Sequence, residues 1–195
     1  MLVLLYLNQM KFNNIVHDFK NIKSRNYRKV WEPFMKKYRC DVVCELGVYK
    51  GDNFMEMISH EPKLAVAVDS WKNDGVHSSR DASYSQEELK KQYAYFKSRV
   101  RDLSFVQIIQ RKTVQAAKRF SDEYFDFVYI DADHSVEGCY SDITSWYPKV
   151  KPGKFLVGHD YHRRFGVVDA VNKFIKDNKL ELILLPPSTW AVIKK

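Results

Sequence analysis

The chain has 195 residues, of which 45% are hydrophobic and 29% charged, and these proportions are ordinary for one soluble globular domain with a sizeable core. The net charge is +8, but Lys and Arg are spread along the chain without a nucleic-acid-binding motif. Nucleic acid is therefore an unfavoured partner, and the excess suits an anionic substrate. The apolar opening, residues 1–7, is too short for a membrane span and lacks the flanks of a signal peptide.

Residues 1–40 predict a basic helical lead-in, and the densest part, His17–Arg39, predicts an exposed helix. Residues 41–195 predict one folded domain with a polar insert at residues 72–99. The chain has three cysteines, Cys40, Cys44 and Cys139. They form no paired motif and indicate no disulfide framework, so we expect a cytoplasmic protein in a reducing cytosol.

Two short apolar runs predict the first two strands of this domain. "DVVCEL", residues 41–46, ends at Gly47, and "KLAVAVD", residues 63–69, ends in an acid. A helix begins between them, close to Gly51. Runs that are apolar throughout are typical of strands buried on both faces.

A long polar insert, residues 72–99, separates the second strand from the third, "SFVQIIQ". Its second half, from Ser85, has apolar residues at helical spacing. Inserts of this length often cover a binding site, so we expect it to select the substrate, with Trp71, His77 and Arg80 in contact with that substrate; a variable solvated loop is the alternative. Thr113 predicts the cap of the short helix that follows the third strand.

Two further strands, "FDFVYID" and "KPGKFLVGHD", flank a helix that ends at Pro148. An amphipathic helix over residues 166–178 leads to the last two strands, which only a few residues join. A link so short predicts an antiparallel hairpin, since a parallel crossover needs a dozen residues or more. The sequence therefore predicts an α/β fold: a Rossmann-like, doubly wound sheet of seven strands, mostly parallel with the last strand antiparallel, and helices on both faces.

Polar groups follow four of the first five strands. The stretches are "CELGVYKG", "AVDSW", "YIDADH" and "VGHDYH". Because ligands of open α/β sheets bind at the carboxyl ends of the strands, these groups predict an active site at one edge. Gly47 suits a turn with positive φ, Gly51 suits close approach of a ligand to a helix start, and Asp69 is placed to accept the hydroxyls of a ribose.

The stretch Tyr129–Tyr161, "YIDADHSVEGCYSDITSWYPKVKPGKFLVGHDY", resembles a family signature that runs "FIDGDHSYEGVKKD...W.P.LKPGG...GHDY". The signature belongs to small stand-alone class I S-adenosylmethionine-dependent methyltransferases. "AVDSWKNDG" is also similar to that family's segment after the second strand. The resemblance covers most of residues 41–195, and it implies the seven-stranded fold with its last strand reversed.

The resemblance implies roles in binding the cofactor S-adenosylmethionine. The methionine half would lie against the first turn, formed by Glu45, Gly47, Tyr49 and Gly51. Asp69 would hold the ribose, and Asp131 would also line the cofactor site. The residues near the adenine would be Ser70, Trp71, Lys112 and Thr113. Lys112 departs from the family, which often has an Asp there, and Lys154 stands where the family usually has a second Gly.

The fourth and fifth strand ends predict the catalytic groups. In an extended segment residues two apart point the same way, so Asp131 and Asp133 can both face the site, with His134 at its mouth. His134 is our first choice as general base and His159 the second, beside Asp160; a structural role for His134 is the alternative.

Metal-dependent O-methyltransferases of this fold carry acids that Asp131 and Asp160 match, so the resemblance implies a metal site, with Mg²⁺ as its ion. Tyr161 replaces the family's Asn, and the histidines leave borderline metals or a metal-free route open.

These features predict a methyltransferase that acts on an oxygen of a small polyhydroxylated or sugar-like acceptor. Three alternatives remain. The first is a nucleic-acid acceptor, against which the chain lacks an N-P-P-[YF] tetrapeptide. The second is a cofactor-binding module without turnover, and the third is an NAD or nucleotide-sugar enzyme, against which the chain lacks G-x-G-x-x-G. A homodimer is an alternative to a monomer.

Overall fold

The structure is a computed structural model, and it describes residues 30–73, 84–163 and 165–195. In this part of the chain seven strands form one sheet, and helices cover both faces. The strands are β1 Val42–Leu46, β2 Leu64–Asp69, β3 Val106–Gln110, β4 Phe125–Ile130, β5 Val150–Gly158, β6 Ile183–Leu185 and β7 Thr189–Ile193. The α-helices are α1 Trp31–Tyr38, α2 Asp52–Met57, α3 Gln86–Val100, α4 Thr113–Ala117, α5 Val136–Trp146 and α6 Val167–Asn178.

The strand order is β3-β2-β1-β4-β5-β7-β6. All neighbours from β3 to β5 pair in parallel, whereas β7 runs antiparallel to both β5 and β6. The predicted doubly wound sheet with a reversed last strand is therefore confirmed. The order reverses between β1 and β4, and this reversal opens a crevice at the carboxyl ends of the strands.

The two faces of the sheet carry separate cores, because successive side chains of a strand point to opposite faces. On one face, α1, α2 and α3 pack against Val43, Ala67, Phe127 and Phe155. On the other, α4, α5 and α6 pack against Cys44, Val66, Val128 and Leu156. Burial on both faces explains why these strands are apolar throughout.

Helix α1 packs into the core. Its residues Trp31 and Met35 are 1% and 0% exposed, and the Trp31 ring meets Phe127 and Tyr129 edge to face. The exposed helix expected in His17–Arg39 is therefore wrong for Trp31–Tyr38, because one side of this helix covers the sheet. Residues 1–29 lie outside the described part, and the domain boundary at residue 40 stays a prediction.

Helix α3 confirms the helical second half of the insert. Ser85 and Glu88 form a reciprocal capping box at its start, and Phe96 packs against Phe54 and Trp71. The first half, residues 74–83, lies outside the described part, as do the expected acceptor contacts of His77 and Arg80.

The helices of the described ranges are all too short or too polar to cross a membrane.

Candidate active site

A cavity of about 420 Å³ opens at the carboxyl edge of the sheet. Its lining comes from the ends of the five parallel strands β1 to β5 and from described residues of the insert. The residues are Gly47, Tyr49, Asp69, Ser70, Trp71, Lys72, Asn73, Tyr84, Leu89, Lys112, Thr113, Asp131, Ala132, Asp133, His134 and Asp160. Most of the predicted site residues therefore lie around one space.

The strand register aligns the ends of these strands, so the residues that follow them lie side by side across the sheet. Leu46 pairs with both Val68 and Ile130, and Ile130 pairs with Gly158. The next residue of each strand end is tied to its neighbour, since Gly47 N donates to Val68 O, Asp131 N to Leu46 O and His159 N to Ile130 O. Polar groups that are far apart in sequence thus start from one line across the sheet.

Gly47 brings the first turn against the fourth strand end. Its φ is 82°, and a Cβ at this position would lie 2.0 Å from the carbonyl oxygen of Asp131. No side chain fits there, so the predicted role of Gly47 in a tight turn agrees with the geometry.

Asp69 is held by backbone N–H groups. Its Oδ2 accepts from Tyr49 N at 2.8 Å and its Oδ1 from Trp71 N at 2.7 Å. Burial raises the pKa of Asp69 above its usual range, although these N–H groups favour the charged form. The carboxylate lines the cavity with its position set by main-chain contacts.

Trp71 belongs to the wall of the cavity and to the core behind it. The indole stacks on Phe96 and lies 4.6 Å from the Tyr93 ring, and its Nε1 donates to Tyr49 O at 2.7 Å. Trp71 is 1% exposed, so it meets a ligand only with the part of its surface that lines the cavity.

Glu45 and Gly51, both expected beside the methionine half, are not among the lining residues. Glu45 is buried, and its Oε1 accepts from Asn53 Nδ2 at 2.9 Å. The space in front of Gly51 is filled by Phe96, whose ring would lie 2.4 Å from a Cβ there. Phe96 of α3 thus occupies the place of a side chain at Gly51, and the cofactor roles of Glu45 and Gly51 stay predictions.

Lys112 and Thr113 line the cavity where the chain leaves β3 and enters α4. Lys112 is the N-cap residue, and no side chain caps the helix. The Thr113 hydroxyl donates instead to Asp142 Oδ1 of α5. The expected capping role of Thr113 is therefore wrong.

Asp131, His134 and Asp160 converge at the β4 and β5 ends. His134 Nε2 lies 3.4 Å from Asp131 Oδ1 and 3.1 Å from Asp160 Oδ2, and one ligand atom from each of the three residues falls within 4.8 Å of the others. His159 Nδ1 lies 3.1 Å from Asp160 Oδ1, and its Nε2 lies 3.2 Å from Ser188 Oγ. His162 Nε2 also lies 3.4 Å from Asp160 Oδ1, so two acids and three imidazoles form a continuous cluster.

The contacts in this cluster shift its titration. Burial alone would raise the pKa of Asp160, but His134 and His159 outweigh it and hold that pKa well below its usual range. Burial alone would lower the pKa of His159, but Asp160 and the negative charge of Asp131 outweigh it and raise that pKa. Asp160 is thus a carboxylate under ordinary conditions.

Asp133 and Tyr161 form hydrogen bonds to residues at the start of α5 and in α6, respectively. Asp133 Oδ1 accepts from Ser135 N at 2.8 Å, and a Cβ on Gly138 would lie 2.2 Å from its carboxyl carbon. Tyr161 donates its hydroxyl to Asn172 Oδ1 at 2.8 Å. The Tyr161 hydroxyl is therefore engaged with α6, and His134 is the third group beside the two acids.

The sequence of this chain matches a family model described as "Methyltransferase domain" over residues 44–161. This match spans more than half of the chain and contains the β1, β2, β4 and β5 ends that form the cavity. The chain belongs to this methyltransferase family. A comparison with curated protein sequences finds no significant match.

Solved structures share the fold of this methyltransferase at low sequence identity. A putative caffeoyl-CoA O-methyltransferase from Staphylococcus aureus has 14% identity and a TM-score of 0.65, covering 100% of this chain and 97% of that chain. The O-methyltransferase NovP has 15% identity and a TM-score of 0.63, covering 86% and 78%. TomG from Streptomyces achromogenes, solved in complex with SAM, has 14% identity and a TM-score of 0.59, covering 88% and 81%.

The methyltransferase cavity contains residues that sequence analysis did not single out. They include Asn73 and Tyr84, which are joined by a hydrogen bond from Asn73 Nδ2 to Tyr84 O at 2.7 Å. Tyr84 also pairs with Tyr49, with ring centroids 5.2 Å apart. The capping pattern at Ser85 marks the start of α3, and it was the available signal for the neighbouring Tyr84.

Proposed function

We propose that this methyltransferase transfers the methyl group of S-adenosylmethionine to an oxygen atom of a small molecule. The observation that carries the proposal is the single cavity that joins a backbone-held carboxylate, Asp69, to the Asp131–His134–Asp160 cluster. The first suits a ribose and the second suits an acceptor hydroxyl that must lose its proton. Neighbours described as O-methyltransferases, one of them solved with SAM, support this choice.

The cofactor lies along the β1–β2 side in this proposal. Asp69 accepts the ribose hydroxyls, and Gly47 leaves the backbone of the first turn open to the methionine half. Lys112 and Thr113 lie beside the adenine, with Ser70 and the exposed part of Trp71. The methyl group then points toward the β4–β5 side of the cavity, where Asp131 lies.

His134 takes the proton of the acceptor hydroxyl. Its Nε2 faces both carboxylates, which stabilise the imidazolium that forms. Alignment of the oxygen with the methyl carbon supplies most of the remaining rate, because methyl transfer is an in-line displacement. His159 supports Asp160 from behind, since its other nitrogen contacts Ser188.

The same three side chains fit a small divalent cation. Two carboxylates and an imidazole within 4.8 Å offer oxygen and nitrogen ligands, a donor set that suits Mg²⁺ through its oxygens and borderline metals through His134. A bound cation would polarise the acceptor hydroxyl and lower its pKa. Because a neutral imidazole has a single free lone pair, His134 can bind a metal or take a proton but cannot do both, and the two roles exclude each other.

The first test is calorimetric titration of the full chain with S-adenosylmethionine, with Asp69→Ala as the comparison. We expect micromolar binding that Asp69→Ala loses. Turnover is then followed as release of S-adenosylhomocysteine with sugars, phenols and nucleic-acid oligomers as acceptors. Absence of cofactor binding in the wild type contradicts the proposal, and turnover only with oligomers contradicts a small-molecule acceptor.

A chelator separates the two roles of His134. If turnover survives the chelator and His134→Ala abolishes it, His134 is the base. If the chelator abolishes turnover and Mg²⁺ or Mn²⁺ restores it, His134 is a ligand, and the proposed base is wrong.

A further inference from the structure

Asp142 is a buried acid that the proposed reaction does not use. It lies on α5, is 2% exposed, and its Oδ1 accepts from the Thr113 hydroxyl. Its Oδ2 is buried and has no hydrogen-bond partner among the described residues. Because a buried acid with one unsatisfied oxygen lowers stability, its one hydrogen bond calls for a functional explanation.

That hydrogen bond reaches the wall of the cavity. Thr113 lines the cavity at the start of α4, beside Lys112. Its carbonyl oxygen also accepts from Trp146 Nε1 at 3.1 Å. Two neighbouring turns of α5 therefore hold the same residue, one through its side chain and one through its backbone.

Besides α5, the end of β2 anchors the start of α4, because Arg111 N donates to Asp69 O at 3.0 Å. The helix has five residues, and no side chain caps its N-terminus. The side chain that could have capped it, Thr113, points back to α5. The position of Lys112 and Thr113 against a ligand thus depends on α5 as well as on β2.

We propose that Asp142 is a positioning residue for the adenine side of the cavity: together with Trp146 it holds Thr113 from behind and sets the place of Lys112 and Thr113 against the cofactor. The inference rests on the proposed function, which puts S-adenosylmethionine in this cavity. Asp142 itself touches neither the cavity nor the reacting atoms.

The protonation of Asp142 indicates which substitution preserves the contact. Burial raises its pKa to about 7, Asp133 acts in the same direction, and the Thr113 hydroxyl opposes the shift. Near neutral pH the group is thus often the neutral acid, which an amide resembles in size and charge. The amide oxygen introduced by Asp142→Asn can still accept from Thr113, whereas the methyl group left by Asp142→Ala cannot.

The experiment measures binding of S-adenosylhomocysteine and of adenosine to the full chain by calorimetry. Adenosine is included because it carries only the adenine half of the cofactor. We expect Asp142→Ala and Thr113→Val each to weaken both ligands about ten-fold, and Asp142→Asn to stay within about two-fold of the wild type. Because the two groups act as one unit, the double variant Asp142→Ala/Thr113→Val should bind no more weakly than either single variant.

A matched control separates positioning from general destabilisation. Asp126 is also a buried acid, 4% exposed. Its Oδ2 accepts from Asp41 N and Val42 N, and none of these residues lines the cavity. Asp126→Asn should lower the melting temperature and leave both affinities unchanged.

Wild-type affinity in Asp142→Ala, or in Thr113→Val if Asp142→Ala does not fold, overturns the inference while the proposed function stands. An affinity loss in Asp126→Asn as large as in Asp142→Ala also overturns it. If the wild type binds neither ligand, the proposed function itself fails.

Discussion

The two walls of the cavity are built in different ways. The β1–β2 wall, formed by Gly47, Tyr49, Asp69 and Trp71, holds its carboxylate through two backbone N–H groups. The β4–β5 wall, formed by Asp131, His134 and Asp160 with His159 behind them, holds its carboxylates through imidazoles. The carboxylate of the first wall is held by the backbone conformation, whereas the carboxylates of the second wall are held by imidazole protons or by a bound cation.

This difference matches the two tasks of the site. A ligand that is the same in every turnover is served by groups that the backbone fixes in advance. An acceptor that must lose a proton needs groups whose charge can change near neutral pH. We therefore expect substitutions in the β1–β2 wall to alter cofactor affinity, and substitutions in the β4–β5 wall to alter turnover.

The largest expected effect is in the β4–β5 wall. Asp160→Asn removes the charge that supports both His134 and His159, so turnover should fall about 1,000-fold, which corresponds to about 4 kcal/mol. Cofactor affinity should stay within about three-fold of the wild type. Turnover is measured with the acceptor found by screening, and affinity by calorimetry. A parallel loss of affinity would show that the two walls do not divide the tasks.

Asp142 sharpens the comparison, because it is a buried acid without the backbone donors that Asp69 has. Its pKa rises from 3.8 to about 7 in the folded protein, mainly through burial, and the acids and thiol that face it include Asp133 and Cys139. A raised pKa stabilises the fold below about pH 4 and loses that contribution as the pH rises through about 7. Asp142→Asn should remove this loss of about 4 kcal/mol.

Urea unfolding of wild type and Asp142→Asn at pH 4, 6 and 8 checks this. The difference in unfolding free energy between the two proteins should grow in favour of the variant with rising pH. A difference that is the same at all three values would mean that Asp142 is ionised throughout.

Gly47→Ala tests the contact between the walls. The added Cβ meets the backbone of Asp131, which cannot move aside, so we expect a loss of about 3 kcal/mol or more. Gly153 is the matched control: its φ is 73°, but nothing lies within 4 Å of the place where a methyl group would be added. Gly153→Ala should cost only about 1 kcal/mol. Equal losses in urea unfolding would indicate that φ alone, and not the contact, requires Gly47.

The smallest effect is expected at the insert. Gln86 accepts from Asn73 N at 3.1 Å and donates to Trp71 O at 2.9 Å, so Gln86→Ala should cost about 1 kcal/mol. Glu87→Ala on the exposed side of α3 is the control, since its pair with Lys91 is solvent-exposed. Thermal unfolding in which both variants change equally would exclude a role for Gln86 at the base of the insert.

The seven strands and the antiparallel pairing of the last two could be predicted from the sequence. Apolar runs identified every strand, and the short link between β6 and β7 gave the antiparallel pair. Strand ends also predicted Asp69, Asp131 and Asp160 at one edge, because parallel strands bring their carboxyl ends together. These inferences need only periodicity and connection length.

Contacts between distant helices were not predictable in the same way. At Gly51 the place of a side chain is occupied by Phe96, which lies 45 residues later in the chain. Thr113 looked like a cap, but Asp142 takes its hydroxyl. Asp142 and Trp146 lie inside the stretch that carried the family resemblance, and yet their role depends on how α4 meets α5, which no local pattern shows.

The hairpin β6–β7 has a consequence for the order in which the site is completed during translation. The β1–β2 wall can close once α3 has emerged from the ribosome, because Trp71 packs on Phe96, but the β5 edge receives its partner only with β7. His159 meets Ser188, and Tyr161 N donates to Ser188 O, in the loop just before that strand. A nascent chain halted before residue 188 therefore presents an unpaired sheet edge beside an unfinished catalytic wall, which makes this hairpin a natural checkpoint for chaperones and proteases.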